Sequence, residues 1–247
     1  MEQTGALVVF LLALLTALAT GLGALPFLVR PKPPRSWLGT SNALAAGLML
    51  AASFGLLYEG IVYGLPRTLA GALAGLLFVI ATRRVLRHYE HLKFGALDEV
   101  DSRKALLIVG VMTLHSFTEG VGVGVSFGGG EALGAFITFA IAVHNIPEGL
   151  AISLVLVPRG TGVWFAALWS VFSSLPQPLM AVPAFLFVES FAPLLPAGLG
   201  FAAGAMMWMV FSEIVPDALE DAPRQWLAVV VVLAALAMVA FQVLLRA

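Results

Sequence analysis

Long apolar runs separated by short polar breaks dominate the sequence. Each run approaches the ~20 residues that an α-helix needs to cross the hydrocarbon core of a bilayer. The predicted transmembrane helices cover residues 5–29, 38–58, 66–86, 105–127, 132–157, 162–187, 197–215 and 226–246. The pattern therefore predicts an all-α polytopic membrane protein, in which eight transmembrane helices form a single transmembrane domain over residues 1–247.

The polar breaks between these runs carry turn residues. RPKPPRSW at 30–37 is charged and rich in proline. FGGGEA, PRGTG, the stretch from Pro193 to Pro196 and PDALEDAPR are predicted short connectors between later runs. The segment over about 87–104, between the third and fourth predicted helices, is both long and strongly polar. We expect this segment to form a long cytoplasmic loop.

Composition supports this class of protein and excludes others. Hydrophobic residues make up 60% of the 247 residues, charged residues make up 11%, and the mean hydropathy is +1.00. A chain this apolar, with a net charge of -1, is not expected to bind nucleic acid. It has no cysteine, which excludes disulfides, thiolate metal ligands and cysteine nucleophiles. The N-terminal MEQTG lacks the basic segment of a secretory signal, so we expect the first run to be retained as a helix.

The distribution of lysine and arginine predicts the orientation in the membrane. With eight helices and the N-terminus outside, eleven of the thirteen basic residues fall on the inner side, where positive charge is favoured. The inner residues are Arg30, Lys32, Arg35, Arg83, Arg84, Arg87, Lys93, Arg103, Lys104, Arg159 and Arg224, and the outer residues are Arg67 and Arg246. We therefore predict that both termini lie outside.

Two related hexapeptides, HSFTEG at 115–120 and HNIPEG at 144–149, place ionisable residues inside the fourth and fifth predicted helices. In each, a histidine precedes a glutamate by four residues, so the two side chains share one helix face. Ionisable groups at this depth are costly and are expected to face the bundle interior. Imidazole and carboxylate groups bind Zn²⁺, and also Fe²⁺, Mn²⁺, Co²⁺ or Cd²⁺. The predicted metal ligands, with zinc as first choice because they suit a tetrahedral ion, are His115, Glu119, His144 and Glu148.

Other interpretations of the two hexapeptides stay open at this point. A single His–Glu pair is as readily explained as a buried hydrogen-bonded pair that fixes helix packing, but its duplication on consecutive helices favours metal binding. An intramembrane metal-dependent hydrolase would use similar ligands to activate water. We expect no enzyme activity, because the sequence has no HExxH motif and all four central ionisable groups are needed as ligands. A channel would share the ligands and differ from a carrier in rate and saturation.

The same segments resemble a known family. HNIPEGLAIS is similar to the fifth-helix signature of the ZIP (Zrt-, Irt-like) divalent-metal transporters, and HSFTEGVGVGVSF is similar to their fourth helix. ATGLGALPFL, GLMLAASFGLL, SSLPQPLMA and AGAMMWMVFSEIVPDA resemble the first, second, sixth and seventh helices. The resemblance thus covers nearly the whole chain, and it is greatest to the bacterial GufA-like branch.

This resemblance implies a transport mechanism, an oligomeric state and a cellular location. It implies a homodimer in the cell (inner) membrane that moves Zn²⁺ or related divalent cations into the cytoplasm by alternating access of an elevator type. Helices one, four, five and six would move against helices two, three, seven and eight, which would form the dimer contact. The divalent cation would be the transported substrate, and no cofactor is expected. Glu213 resembles a family position near the cytoplasmic exit, so it is a candidate relay for the departing metal.

The resemblance also assigns residues to metal sites. It implies that the four residues of the two hexapeptides form the primary site. In the family a second metal binds alongside, through the residue after each motif histidine and a sixth-helix glutamate. The corresponding residues here are Ser116, Asn145 and Gln177. All three are neutral, and Ser116 and Gln177 replace the usual Asn and Glu, so we predict a weakened secondary site and one tightly bound metal.

Overall fold

The protein is helical throughout the part that the structure, a computed structural model, describes: residues 5–30, 33–88, 99–128 and 130–246. Within these ranges the chain forms helices and short turns, and no β-strand. The helices are α1 (Ala6–Val29), α2 and α3 (35–63 and 65–88, the two arms of Arg35–His88), α4 (Glu99–Gly128), α5 (Glu131–Leu156), α6 (Val163–Leu186), α7 (Val188–Asp221) and α8 (Arg224–Arg246). The predicted all-α class is confirmed.

Seven helical stretches within the described residues are long and apolar enough to cross a membrane, and Arg35–Val85 is one of these seven. The 54 residues of Arg35–His88 would extend about 80 Å as one straight helix, far more than the ~30 Å hydrocarbon core of a bilayer. The backbone leaves helical geometry at Gly64 (φ 167°, ψ 97°). Thr68 packs against Gly60, although eight residues of straight helix would separate them by about 12 Å. α2 and α3 therefore fold back on each other as a hairpin.

Helices extend into both ends of the segment in which a long loop was predicted, over about 87–104. α3 continues to His88 and α4 begins at Glu99, while residues 89–98 lie outside the described residues. The acidic sequence EVD at 99–101 suits the start of a helix, because negative charge is favourable beside the free N–H groups of the first turn. The polarity of residues 99–104 therefore belongs to the start of a helix.

Prolines account for the interruptions within the helices. A proline lacks the N–H that would bond to the carbonyl four residues earlier, so the preceding turn adopts another helical geometry. The interruptions are the 3₁₀ turn Leu22–Ala24 before Pro26, the break at Leu175 before Pro176, and the π-turn Val210–Ile214 before Pro216. The predicted connector at Pro193 to Pro196 is helical instead, because proline fits the first turn of a helix.

The helices α2, α3, α7 and α8 form one bundle, which is held by close backbone contacts. Glycines face the opposite main chain across the α3–α7 interface, on both sides. A Cβ atom on Gly71 would fall on the carbonyl of Ala197, and one on Gly204 would fall on the carbonyl of Ala72. Such small residues let membrane helices approach closely enough for extensive van der Waals contact. We refer to these four helices as the glycine-packed bundle.

The helices α1, α4, α5 and α6 contact one another and form a second bundle with a polar interior. Of the twenty buried polar residues in the described ranges, sixteen lie on these helices. α4 and α5 are joined by a tight turn at Gly130, whose φ of 126° is rarely adopted by other residues. We refer to these four helices as the polar-cored bundle.

Apolar side chains fill the space between the bundles at one end of the molecule and also cover its outside. The main apolar cluster includes Met49 and Met206 from one bundle and Met112 and Leu156 from the other. The exposed large apolar residues lie all along the helices, among them Leu7, Phe54, Trp164, Phe211 and Leu236. An apolar exterior of this extent is untypical of water-soluble monomers. Together with the helix lengths it indicates a multi-pass membrane protein.

Candidate metal site

The hairpin of α4 and α5 brings the two hexapeptides to the same level. His115 lies thirteen residues before the end of α4, and His144 lies thirteen residues after the start of α5. Because each residue of a helix rises 1.5 Å, both histidines lie about 20 Å from the connecting turn. Their rings stack across the interface with centroids 5.7 Å apart and an angle of 23° between planes.

The four predicted ligands form one compact, buried cluster. Glu148 lies at its centre, because its Oε1 is 3.0 Å from His115 Nε2 and 3.2 Å from His144 Nε2. His115 Nε2 is also 3.3 Å from Glu119 Oε1. One ligand atom from each of the four residues lies within 4.8 Å of the others. The exposed fraction of the four side chains ranges from 0% to 7%.

The polar atoms of the cluster lie close together but make no aligned hydrogen bonds with one another. Both nitrogens of His115, His144 Nε2, Glu119 Oε1 and both oxygens of Glu148 are buried and make no aligned hydrogen bond. Buried polar atoms nearly always have a partner, so a group of them without one marks a place for a ligand. Adjacent ligand atoms around a tetrahedral zinc ion with bonds of 2.0–2.1 Å are about 3.3 Å apart. The three N–O distances given above, 3.0–3.3 Å, are close to this spacing, and the four ligand atoms together lie within 4.8 Å of one another.

The glycine after each motif glutamate has a structural role. A Cβ on Gly149 would fall on the main-chain carbonyl of Thr20, and a Cβ on Gly120 would fall on the main chain of Gln177. The first contact brings α1 against the site, and the second brings α6 against it. Close approach of a neighbouring backbone therefore requires glycine at both positions.

Of the three residues predicted to form a weakened secondary site, Asn145 and Gln177 are joined by a hydrogen bond, and Gln177 is also bonded to the cluster. The amide nitrogen of Gln177 donates to Glu119 Oε2. Gln177 Oε1 accepts from Asn145 Nδ2 at 3.0 Å and contacts Thr16 Oγ1. Ser116 Oγ and Asn145 Oδ1 are buried without a hydrogen-bond partner. Gln177 thus uses both of its polar atoms within the protein.

The sequence interpretation missed Thr16. Its hydroxyl contacts Gln177, and Asn145 Nδ2 donates to its main-chain oxygen at 2.8 Å. Four residues later, Thr20 Oγ1 lies 2.8 Å from Ser174 Oγ. The signal was present in LLTALATG, where two threonines occupy one face of an otherwise apolar helix.

Glu213 lies outside the four-residue cluster. It belongs to the π-turn of α7 and is 8% exposed. Its carboxylate is 3.4 Å from the guanidinium of Arg83 on α3 and 4.0 Å from Lys104 Nζ on α4. Lys104 Nζ also lies 2.6 Å from Asp217. Arg83 lies over the Trp208 ring, with 5.4 Å between guanidinium carbon and ring centroid. Glu213 is therefore part of an ion-pair cluster where α3, α4 and α7 meet.

A cavity of about 360 Å³ reaches the cluster from one end of the molecule. Glu119 and His144 line its floor, and Tyr63 and Leu195 line it at the end where α2 finishes and α7 begins. On the opposite side of the site every residue of 147–156 is buried. The cluster is therefore reached from one side and covered by packed side chains on the other.

The fold and the site define a class: a multi-pass membrane protein with a buried cluster of histidine and glutamate suited to a divalent cation. The sequence model of the ZIP zinc transporter family matches residues 95–242. The chain belongs to the ZIP zinc transporter family.

Similar proteins agree with this family. The chain is 36% identical over 219 residues to the zinc transporter GufA of Myxococcus xanthus, an alignment that covers 83% of this chain and 86% of GufA. It is 33% identical to the zinc transporter ZIPB of Bordetella bronchiseptica, over 81% of this chain and 69% of ZIPB. An Arabidopsis thaliana protein described as a candidate zinc transporter is 50% identical over 87% of this chain. The chain spans about a third of that relative, 35% of its length.

Proposed function

We propose that this protein is a carrier that moves divalent cations, Zn²⁺ first among them, into the cytoplasm. The observation that supports it best is the buried cluster on α4 and α5, whose four ligand atoms lie within 4.8 Å of one another. A divalent cation there would neutralise the charges of Glu119 and Glu148 and satisfy atoms that have no other partner. The relatives GufA and ZIPB are named zinc transporters. Fe²⁺, Mn²⁺, Co²⁺ and Cd²⁺ are further substrates of this site.

The site holds one tightly bound cation as transported substrate. Two glutamates balance the charge of one divalent ion, and the two imidazoles complete four-coordination. Ser116, Asn145 and Gln177 add neutral atoms only, and Gln177 is already engaged in hydrogen bonds. A second ion would therefore bind weakly.

The chain crosses the membrane eight times, with both termini outside. The hairpin at Gly64 supports two crossings by Arg35–His88, because the arms 35–63 and 65–88 are each long enough to span a bilayer. With eight crossings, Arg83, Lys104 and Arg159 lie on the inner side, as the positive-inside rule favours. The apolar exterior then faces lipid in the cell (inner) membrane.

Transport proceeds by alternating access of an elevator type. The cavity joins the cluster to the end of the molecule that this topology assigns to the outside, and packed residues of α5 close the other side. The polar-cored bundle, which contains all four ligands, moves against the glycine-packed bundle. The close α3–α7 contact suits the fixed part, and the exposed apolar face of these helices, with Leu73 and Phe211, is the contact of a homodimer.

Glu213 acts as a relay for the departing cation in this scheme. It lies near the inner ends of α3, α4 and α7, where its carboxylate is shared between Arg83 and Lys104. Transport rather than hydrolysis fits the ligand cluster, since all four of its ionisable groups coordinate the ion. This leaves no fifth carboxylate or imidazole within the described cluster to serve as general base.

Uptake of ⁶⁵Zn²⁺ into proteoliposomes tests this function. The intact protein should show saturable uptake, and His144→Ala and Glu148→Ala should abolish it. Glu131→Gln, at the exposed start of α5, is the matched control and should transport normally. Gel filtration checks that each variant folds. Zinc binding without uptake would contradict a zinc carrier, and turnover of a substrate by the purified protein would favour the hydrolase instead. Competition by Fe²⁺, Mn²⁺, Co²⁺ and Cd²⁺ ranks the substrates.

A further inference from the structure

Gln177 joins three other helices at the metal cluster. It is fully buried on α6, and each polar end of its carboxamide meets a different part of the site. The nitrogen donates to Glu119 on α4, while the oxygen accepts from Asn145 on α5 and contacts the hydroxyl of Thr16 on α1. A single neutral side chain thus connects all four helices of the polar-cored bundle.

The chemistry of its partners fixes which way the carboxamide points. A carboxylate accepts hydrogen bonds only, so the group facing Glu119 Oε2 must be the nitrogen of Gln177. Asn145 Nδ2 in turn donates both of its hydrogens, to Gln177 Oε1 at 3.0 Å and to the main-chain oxygen of Thr16 at 2.8 Å. The opposite orientation would place Gln177 Oε1 against Glu119 Oε2, which are both acceptors. It would also place Gln177 Nε2 against Asn145 Nδ2, which are both donors.

In this orientation the two oxygens of the Glu119 carboxylate have different partners. Oε2 is bonded by Gln177, and Oε1 lies 3.3 Å from His115 Nε2 among the other ligand atoms. Without the Gln177 donor, Oε2 would be a buried, unpaired carboxylate oxygen, which is costly in a medium of low dielectric constant. The Glu119 side chain would then rotate, and Oε1 would lose its position among the other ligand atoms.

We infer that Gln177 is a positioning residue, which aims Glu119 Oε1 at the cation and limits the site to one ion. The inference rests on the proposed function. The limit follows from charge: Glu119 and Glu148 balance one divalent cation, and a second ion would leave two positive charges uncompensated. A third carboxylate at position 177 would reduce that excess to one. A neutral donor supplies orientation without that extra charge. Hydrogen-bond partners of metal ligands commonly have this orienting role.

Zinc binding and uptake by two variants of similar size test this inference. Gln177→Leu removes every hydrogen bond of the side chain, so the dissociation constant for Zn²⁺, measured by titration calorimetry, should rise at least about tenfold. KM for ⁶⁵Zn²⁺ uptake should rise in parallel, while the maximal rate stays within about twofold. Gln177→Glu replaces the donor by a carboxylate, and the number of zinc ions per chain, from elemental analysis, should rise from one to two.

Threonine variants separate positioning from general packing. Thr16→Val removes a hydroxyl that contacts Gln177 and also lies 2.6 Å from the main-chain oxygen of Ala13 in its own helix. It should weaken zinc binding about fivefold or less, the effect of one neutral hydrogen bond. Thr138→Val is the matched control, since its buried hydroxyl bonds only to the main chain of its own helix, at Gly134. It should bind zinc as the wild type does. The melting temperature of each metal-free variant reports any general loss of stability.

The outcomes distinguish this inference from the proposed function. Wild-type dissociation constants in Gln177→Leu, or one ion bound with wild-type affinity in Gln177→Glu, would overturn the positioning role and leave the carrier intact. Failure of the wild type itself to bind or move zinc would overturn the carrier. If Gln177→Leu does not fold, Gln177→Glu and Thr16→Val still test the inference. Zinc binding equal to that of the wild type in both of these variants would contradict it.

Discussion

The two bundles solve the problem of packing helices in an apolar medium in different ways. In the glycine-packed bundle, α3 and α7 meet main chain to main chain, with glycines such as Gly71 and Gly204 on both sides. In the polar-cored bundle, glycines also admit neighbouring helices, but the interior holds sixteen of the twenty buried polar residues in the described ranges. Lipid removes the hydrophobic driving force between helices, so close contact and hydrogen bonds remain.

The difference shows where function resides. Small residues alone make a stiff unit, because backbones in contact have little freedom to separate. Buried histidine, glutamate and glutamine are costly in this medium, and a cluster of them marks a candidate functional site. The polar-cored bundle therefore contains the candidate metal site, and the glycine-packed bundle is the frame in the proposed mechanism.

Removal of the central carboxylate should abolish the stabilisation of the polar-cored bundle by zinc. Glu148→Met keeps an unbranched side chain of similar length and deletes the atom that lies 3.0 Å from His115 Nε2 and 3.2 Å from His144 Nε2. At a zinc concentration of a thousand times the dissociation constant, the wild type should gain about 4 kcal/mol of stability. The variant should gain almost none, as measured by thermal melting with and without zinc.

Zinc stabilisation of Glu148→Met as strong as that of the wild type would contradict this prediction. Such a result would mean that the ion binds elsewhere. Glu131→Gln, on the same helix but exposed, is the control and should keep the full zinc-induced shift. The metal-free melting temperature of Glu148→Met should stay near that of the wild type, because an apolar residue replaces a buried charge.

A methyl group at Gly149 should disturb both packing and zinc binding. The new Cβ would overlap the carbonyl of Thr20, and a backbone atom cannot move aside as a side chain can. Gly149→Ala should therefore cost about 3 kcal/mol of stability and weaken zinc binding, because α1 is pushed away beside Glu148. Gly110→Ala, where nothing lies within 4 Å of the new atom, is the matched control on α4. Equal melting temperatures for the two variants would argue against close packing at the site.

The same substitution in the other bundle should affect stability alone. In Gly204→Ala the new Cβ would overlap the carbonyl of Ala72 across the α3–α7 interface. We expect a loss of about 2 kcal/mol in thermal or denaturant unfolding, since small-to-large changes in packed interiors cost 1–3 kcal/mol. The dissociation constant for zinc, measured below the melting temperature, should not change. A large change in zinc affinity would show that the frame and the site are not separate.

Much of the site could be predicted from the sequence, because its geometry is local. Four-residue spacing puts each His–Glu pair on one helix face, and the FGGGEA turn at 127–132 joins the two helices of the hairpin. The all-α class followed from the apolar runs. The helical state of Pro193 to Pro196 was missed, because proline breaks a helix in its interior but is favoured in its first turn.

The hydrogen bonds around the site could not be predicted, because they depend on tertiary contacts. Thr16 and Gln177 are separated by 161 positions in the chain, and only the packing of α1 against α6 brings them together. The sequence shows that Gln177 is neutral, which predicts a weakened second site. It does not show that the carboxamide donates a hydrogen bond to Glu119. This bond is the contact from which we infer that Gln177 positions a metal ligand.

The ionic link between the two bundles should give the smallest effect. Lys104 on α4 lies 2.6 Å from Asp217 on α7, and both side chains are partly exposed, at 17% and 24%. Asp217→Asn should cost about 1 kcal/mol, because a partly solvated ion pair contributes little. If the bundles move against each other, loosening this link should alter the maximal rate of ⁶⁵Zn²⁺ uptake and leave the dissociation constant unchanged. Glu220→Gln, exposed near the same end of α7, is the control. An altered zinc affinity with an unaltered rate would contradict a link that acts on movement, because Asp217 lies outside the metal cluster.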